Sequence, residues 1–108
     1  MGINMNIRMN EIQQWNEQDV LGSMLLKGDM TNALLKDLHS QDFRFKAHRE
    51  IYHSMKKHQK YGKFYTEDVL EDNLELSKDI LYLMDVCLTT NTEIKCQWLL
   101  EQSVKRFS

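Results

Sequence analysis

The stretch WNEQDVLGSMLLKGD (residues 15–29) decides the fold, because it combines a helical apolar pattern with a glycine in the helix interior. We expect Asn16 to cap this helix and Gly28 to end it. An interior glycine costs about 1 kcal/mol relative to alanine, so Gly22 needs a reason, either helix packing or phosphate binding. The apolar residues recur at i, i+1, i+4 and i+5 on one helix face; they are Val20, Leu21, Met24 and Leu25.

Composition favours helices over strands. The chain has 108 residues, no proline and four glycines, and 28% of its residues are charged. β-branched residues are few and scattered, so the alternation typical of strands is absent. We therefore predict an all-α fold, a compact orthogonal bundle of about six short helices. Residues 1–14 are expected to form a flexible N-terminal arm, and residues 15–108 a helical domain whose last helix is cut short at Ser108.

The remaining helices follow from apolar periodicity and capping residues. The second helix is predicted through Ala33 and Leu38, and the third over residues 46–60. Thr66 and Ser77 are expected to cap the fourth and fifth helices. Core positions are predicted at Ile80, Leu81, Leu83, Met84 and Cys87 in the fifth helix, and at Ile94, Trp98, Leu100 and Val104 in the sixth, which begins near Glu93.

The overall charge and hydropathy exclude several classes of protein. A net charge of −2 and a sequence pI near 6.1 give no global electrostatic reason to bind nucleic acid or a membrane. No apolar run approaches the ~18 residues that suggest a membrane span. The amino terminus, MGINMNIRMNEI, lacks the continuous hydrophobicity of a signal peptide. We therefore expect a cytoplasmic protein without a membrane partner.

No pattern in the sequence indicates catalysis, a cofactor or a metal ion. It contains neither a GxxxxGK[ST] loop nor GxGxxG. His48, His53 and His58 are five residues apart, unlike the i, i+4 pairs that bind zinc, and we expect His48 to be half-buried and hydrogen-bonded. Cys87 and Cys96 form no CxxC pair and are expected to be buried or idle. We therefore predict no catalytic, cofactor-binding or metal-binding residue.

Charges are segregated along the chain. Residues 44–63 contain seven of the fourteen basic residues and one acid, whereas residues 64–85 contain seven of the sixteen acids and one base. The basic helix face can be an ordinary solvated face, a surface for a protein partner, or a nucleic-acid contact; we read the acidic run as a solvated face. Four of the bases fall within about 100° on the predicted third helix. The candidate partner-binding face is Arg44, Arg49, Lys56, Lys57 and Lys60.

Five segments together resemble the amino-terminal collar domain of DnaB-type replicative DNA helicases. EQDVLGSMLL (residues 17–26) is similar to the E-x-x-VLG-[SA]-x-L-L pattern of its opening helix, and DFRFKAHREIY (42–52) to its DF-[YF]-x-x-x-H-x-x-I-[FY] segment with one extra residue. YGKFYTEDVL (61–70), ILYLMDV (80–86) and TTNTEI (89–94) follow in the family's order. Ser40 and Gln41 stand where the family has a proline, which indicates a divergent member of phage or mobile-element origin.

The resemblance implies that Gly22 serves helix packing, because a residue without a side chain lets another helix approach closely. Its packing motif corresponds to Val20, Leu21, Gly22, Met24, Leu25, Phe43, His48, Ile51 and Tyr52. We expect Leu83 and Trp98 to be buried with these residues.

The resemblance also implies a non-catalytic protein-interaction domain that supports assembly of the helicase ring. Its partners would be primase, a helicase loader or other helicase subunits, with DNA contacted only indirectly and a homo-oligomer allowed. ATP and Mg²⁺ would be required only by a separate motor domain. The chain is then either a piece of such a helicase or a natural stand-alone version.

Two alternatives remain at the sequence level. A stand-alone phage or plasmid protein could imitate the collar and modulate a host helicase or primase. A small helical DNA-binding regulator could use the basic face, with His53 and Gln59 as the residues available to read bases.

Overall fold

Helix α1 (Gly2–Lys27) is the longest element and the one around which the other helices pack. The computed structural model describes residues 2–88 and 91–107. The other helices are α2 (Thr31–Leu35), α3 (Lys46–His58), α4 (Thr66–Asp72), α5 (Ser77–Val86) and α6 (Thr92–Phe107), and 3-10 turns lie at Ser40–Asp42 and Leu74–Leu76. No strand occurs within the described ranges, so the predicted all-α bundle of about six helices is confirmed.

The hydrophobic core lies where α5 and α6 pack on α1, and it continues under α3. Burial of apolar side chains is the main stabilising term for a domain of this size. Trp98 is only half-buried at the edge of this core. The largest fully buried side chains are Leu21, Met24, Leu25, Met30, Leu38, Phe43, Ile51, Tyr52, Met55, Ile80, Leu83 and Leu99.

The two ends of α1 differ in how well the sequence predicted them. The helix ends as expected at Gly28, which adopts a left-handed φ of 60° and leaves the Asp29 N–H to donate to the Met24 carbonyl at 3.2 Å. The predicted start at Asn16 is wrong, because α1 begins at Gly2 and the range predicted as a flexible arm lies within it from residue 2 onward. The helix continues through the predicted start at Asn16, and the buried side chain of Gln13 donates across it to Glu17, one turn further on.

The helix caps predicted at Thr66 and Ser77 are not formed. Thr66 and Ser77 are the first residues inside α4 and α5, and the caps are Tyr65 and Leu76 without side-chain hydrogen bonds. The Thr66 hydroxyl instead donates to the Leu25 carbonyl at 2.5 Å. That carbonyl is among the last four of α1, which have no partner within the helix. Thr66 therefore satisfies the end of a different helix.

The buried face of α6 differs from the predicted one. Ile94 and Val104 are exposed, and the core contacts are made by Cys96, Leu99 and Ser103 on the opposite side. A polar residue faces inward because the Ser103 hydroxyl donates to Oδ1 of buried Asp42 at 2.6 Å. Apolar residues on both sides of α6 made its hydrophobic pattern ambiguous.

Three smaller differences from the predicted structure concern one core position and the ends of two helices. Leu81 lies outside the core, with 56% of its surface exposed, whereas Ile80 and Leu83 are buried. Helix α2 ends before Leu38, which is buried in the following turn. Helix α3 ends at His58, so Lys60 belongs to the loop after the helix.

Candidate functional site

The predicted packing motif surrounds a close contact between α1 and α5. A Cβ atom at Gly22 would overlap the Leu83 carbonyl oxygen and lie 2.6 Å from Cys87 Cβ. No side chain fits in that space, so a glycine is required where α5 crosses α1. The apolar members of the motif are all buried. The position of Gly22 is therefore explained by helix packing.

A buried carboxylate connects the two sequence segments that contain the packing motif. The side chain of Glu17 is fully buried and accepts hydrogen bonds from Gln13 Nε2 at 2.6 Å and from the Arg44 N–H at 2.8 Å. His48 Nδ1 lies 2.8 Å from Oε1, where a proton on that nitrogen donates to the carboxylate. His48 is buried and hydrogen-bonded as predicted, although more deeply than half.

The sequence analysis did not predict this role of Glu17. The resemblance could have indicated this pair, because the family's first pattern begins with the acid found here at Glu17 and its second contains the histidine found here at His48. Donors surround the carboxylate and no solvent reaches it, so it fixes α1 against the loop before α3. This arrangement serves the fold and offers no route for a substrate.

The residues of the predicted basic face make different contacts in the structure. Arg49 Nη1 donates to the carbonyls of Phe43 at 3.2 Å and Arg44 at 2.6 Å, so its guanidinium holds the backbone before α3. Lys57 pairs with Asp72 on α4, at 3.3 Å between Nζ and Oδ1. The Lys57 ammonium and the Ser54 hydroxyl hold the pKa of Asp72 below its usual range, the hydroxyl having the larger effect.

The other predicted bases separate into two places. Lys56, half-buried, and Lys60, exposed, lie at the end of α3 and in the turn before α4. Arg44 instead borders a small cleft of about 170 Å³ with Lys105 and Arg106 of α6. Arg106 is held there because its Nη2 donates to the Asp42 carbonyl at 2.8 Å. Whether these bases bind a partner stays a prediction.

An open groove of about 570 Å³ lies beside α1, and the sequence reading did not identify it. The ion pair of Asp19 Oδ2 with Lys95 Nζ is part of its lining. Two aromatic side chains that line it are largely exposed, Trp15 by 61% and Tyr82 by 55%. The apolar lining consists of Ile12, Trp15, Tyr82, Val86 and Leu88.

The two cysteines have different surroundings in the fold. Cys96 is buried in α6, and its burial raises the pKa of the thiol to about 11, which keeps it protonated near neutral pH. Cys87 Sγ donates to the Asp19 carbonyl at 3.4 Å.

Within residues 2–88 and 91–107, no three histidine, cysteine, aspartate or glutamate side chains are grouped so as to hold a metal ion. In the same part of the chain, no helix combines the length and the apolar character needed to cross a membrane.

The fold and these sites define a small all-α domain whose buried polar groups serve packing and whose surface carries an apolar groove and separate basic clusters. A family model described as the DnaB-like helicase N terminal domain matches residues 10–96. The chain therefore belongs to the DnaB-like helicase N-terminal domain family, which implies a collar-type domain of a replicative helicase and a non-catalytic region of such an enzyme. No curated protein and no solved structure matches the chain significantly.

Proposed function

We propose that this chain is a protein-interaction domain that supports assembly of a replicative helicase ring and docks primase or a helicase loader. Family membership supports the first half of this proposal, and the surface around the turn between α3 and α4 supports the docking half. Contact with DNA is indirect. The domain needs no cofactor of its own, because ATP and Mg²⁺ serve a motor domain.

In the turn between α3 and α4 an aromatic side chain is exposed, although the backbone conformation of its residue is unfavourable. This observation supports the proposal that the domain docks primase or a loader. The Lys60 N–H donates to the Lys63 carbonyl at 2.7 Å and the Lys63 N–H donates back at 3.0 Å, which forms a tight turn. Tyr61 at its tip has a left-handed φ of 55° and is 89% exposed. That conformation costs about 1–2 kcal/mol for a residue other than glycine, and the exposed ring recovers none of it by burial.

Neighbouring side chains indicate what such a tip contacts. Tyr65 is also exposed, at 74%, and Lys56 at the end of α3 and Lys60 in the turn supply positive charge close by in the chain. Tyrosine is enriched at protein interfaces, and complementary charge raises the association rate of a partner. An acidic patch on a primase or loader fits this combination.

The test reverses charge at Lys56 and Lys60 together and leaves Arg49 intact, because Arg49 holds the backbone. Association of the Lys56→Glu/Lys60→Glu variant with primase and with loader is measured by surface plasmon resonance at two salt concentrations. We expect association about tenfold slower than for the parent, with a smaller difference at high salt. Lys78→Glu on α5 is the control and should associate like the parent.

The same samples separate the alternatives. Calorimetry with MgATP should give no saturable binding. Salt-sensitive binding of the parent to DNA, lost in the lysine variant while primase and loader binding persists, would replace this proposal with a DNA-binding regulator. Binding that slows or stops the helicase of a host cell would favour a stand-alone protein that imitates the collar.

A further inference from the structure

We infer that the cleft between Arg44 and the end of α6 binds an acidic peptide segment of a protein partner, with an acidic side chain in the cleft and an apolar side chain beside it. No residue of the turn between α3 and α4 is part of the lining of this cleft. The inference therefore goes beyond the proposed function, and its experiment needs neither primase nor loader.

The lining of the cleft brings three basic side chains together around a volume of about 170 Å³. None of the described residues that line it is acidic. Like charges gathered from different parts of the chain repel one another, and an anion placed between them is attracted by all of them. The lining comes from α1, from the loop before α3 and from α6, and it consists of Met9, Gln13, Arg44, Gln102, Lys105 and Arg106.

Two acids that contact this region are buried and hydrogen-bonded inside the fold. Glu17 accepts the backbone N–H of Arg44 at 2.8 Å. The carboxylate of Asp42 accepts the Ser103 hydroxyl at 2.6 Å and the His39 N–H at 2.7 Å. These carboxylates hold the backbone around the cleft instead of filling it. An external carboxylate therefore has a place there.

Arg106 is held in position by the backbone of the loop before α3. Its Nη2 donates to the Asp42 carbonyl at 2.8 Å, and its guanidinium lies 5.7 Å from the centroid of the Phe107 ring. A guanidinium carries N–H donors on each of its nitrogens, so this hydrogen bond leaves donors for a ligand. A guanidinium binds a carboxylate in a bidentate manner, and one that is already fixed loses less conformational freedom on binding.

The surroundings of the cleft favour a peptide over a nucleic-acid strand. Met9 in the lining is 47% exposed, and Phe107 beside Arg106 is 70% exposed, so an apolar side chain next to the acid has surface to contact. Positive charge does not continue along α6, because the exposed Glu101 stands one turn before Lys105. A nucleic-acid strand gains its affinity from a longer row of bases that neutralise successive phosphates. A short acidic segment with an apolar residue fits this cleft better.

The experiment measures, by fluorescence anisotropy, the binding of a labelled synthetic peptide of aspartate and glutamate residues around one phenylalanine. We expect the parent chain to bind it saturably and Arg44→Glu/Lys105→Glu to weaken binding by about tenfold or more, with a smaller difference at high salt. Arg106 is left intact because it holds the backbone at Asp42. Lys56→Glu/Lys60→Glu is the matched control, since it changes the net charge equally at the other basic cluster, and it should bind the peptide like the parent.

Two further peptides test the two parts of the inference. A peptide with asparagine and glutamine in place of the acids should not bind saturably, because it lacks the charge that the cleft attracts. A peptide with alanine in place of phenylalanine should bind severalfold more weakly, because it loses the apolar contact with Met9 and Phe107. Circular dichroism checks that each variant is folded. If Arg44→Glu/Lys105→Glu is not, Arg44→Gln/Lys105→Gln takes its place with the same expected direction.

Four outcomes would overturn the inference. They are a parent that does not bind the acidic peptide saturably, an Arg44→Glu/Lys105→Glu variant that binds it as tightly as the control, equal binding of the acidic and amide peptides, and displacement of the peptide by a single-stranded oligonucleotide at lower concentration than by unlabelled peptide. The last would assign the cleft to nucleic acid. Binding of primase or loader at Lys56 and Lys60 is measured separately, so the first three leave the proposed function standing.

Discussion

A carboxylate without exposed surface, such as that of Glu17, is compatible with folding only when hydrogen-bond donors surround it. Gln13, the Arg44 N–H and His48 supply those donors from the same helix, from the loop before α3 and from α3. One side chain thereby joins α1 to the loop before α3 and to α3 itself, about 30 positions further along the chain. A buried hydrogen-bonded group of this kind fixes the relative position of elements more strictly than apolar contact does.

Replacing Glu17 by alanine should destabilise the domain by about 3–5 kcal/mol, because it leaves several buried donors without an acceptor. The measurement is the free energy of unfolding from urea titration. Glu11→Ala is the control, since Glu11 is exposed on the same helix, and its effect should stay within about 0.5 kcal/mol. If the alanine variant fails to fold, Glu17→Gln should fold with reduced stability. Equal stability of Glu17→Ala and the parent would contradict this role.

At the scale of helices, the contact between α1 and α5 depends on the absence of a side chain at Gly22. Gly22→Leu would place atoms where the Leu83 carbonyl and Cys87 Cβ already lie. We expect a loss of about 1–3 kcal/mol, the usual effect of overpacking, despite the better helix propensity of leucine. The melting temperature reports this change. Gln14→Leu, at an exposed position of α1, serves as the control, and an unchanged melting temperature for Gly22→Leu would refute the packing explanation.

The sequence predicted the elements better than their faces. The apolar stripe of α1 and the glycine that ends it are local features, and both are confirmed. In α6, apolar residues lie on both sides, so the inward face is decided by what it meets. Ser103 faces inward to donate to Asp42, a contact across 61 residues that no local pattern encodes.

The candidate site was less predictable for the same reason. The basic residues were correctly seen as clustered in sequence, but the structure assigns Arg49 to backbone contacts and Lys57 to Asp72. The groove combines Trp15 of α1 with Tyr82 of α5, and neither segment alone indicates a concave surface. The resemblance included Glu17, but its hydrogen bonds were not predicted, because two of its three donors lie about 30 positions away in the sequence.

For the whole molecule, Asp29 joins the turn after α1 to the turn before α4. Its Oδ2 lies 2.7 Å from Lys63 Nζ, and its Oδ1 accepts from the Thr31 N–H at 2.8 Å and from the Thr31 hydroxyl at 2.6 Å. The hydrogen bond from Lys63, followed by those from Thr31, lowers the pKa of Asp29 to about 2 from its usual 3.8. The ionised carboxylate is therefore favoured by the folded state.

This lowered pKa predicts part of the acid sensitivity of the fold. The stabilisation is fully present above about pH 4 and is lost as the pH falls through 2, because the unfolded chain binds the proton first. Asp29→Asn should lower the free energy of unfolding by about 1 kcal/mol near neutral pH, less than the full shift implies because solvent reaches the pair. The difference from the parent should vanish near pH 2. Glu50→Gln, on an exposed part of α3, should show no such pH-dependent difference.

Helix α1 is first in the chain, yet the helices that cover its apolar face, α5 and α6, come last. During translation, 80 residues (28–107) must be added between the completion of α1 and that of α6. At about 5–20 residues per second this takes roughly 4–16 s, during which the newly made face of Leu21 and Met24 stays uncovered. We therefore expect chaperones that bind exposed apolar helices to bind the nascent chain, and slow codons between α4 and α6 to lengthen that exposure.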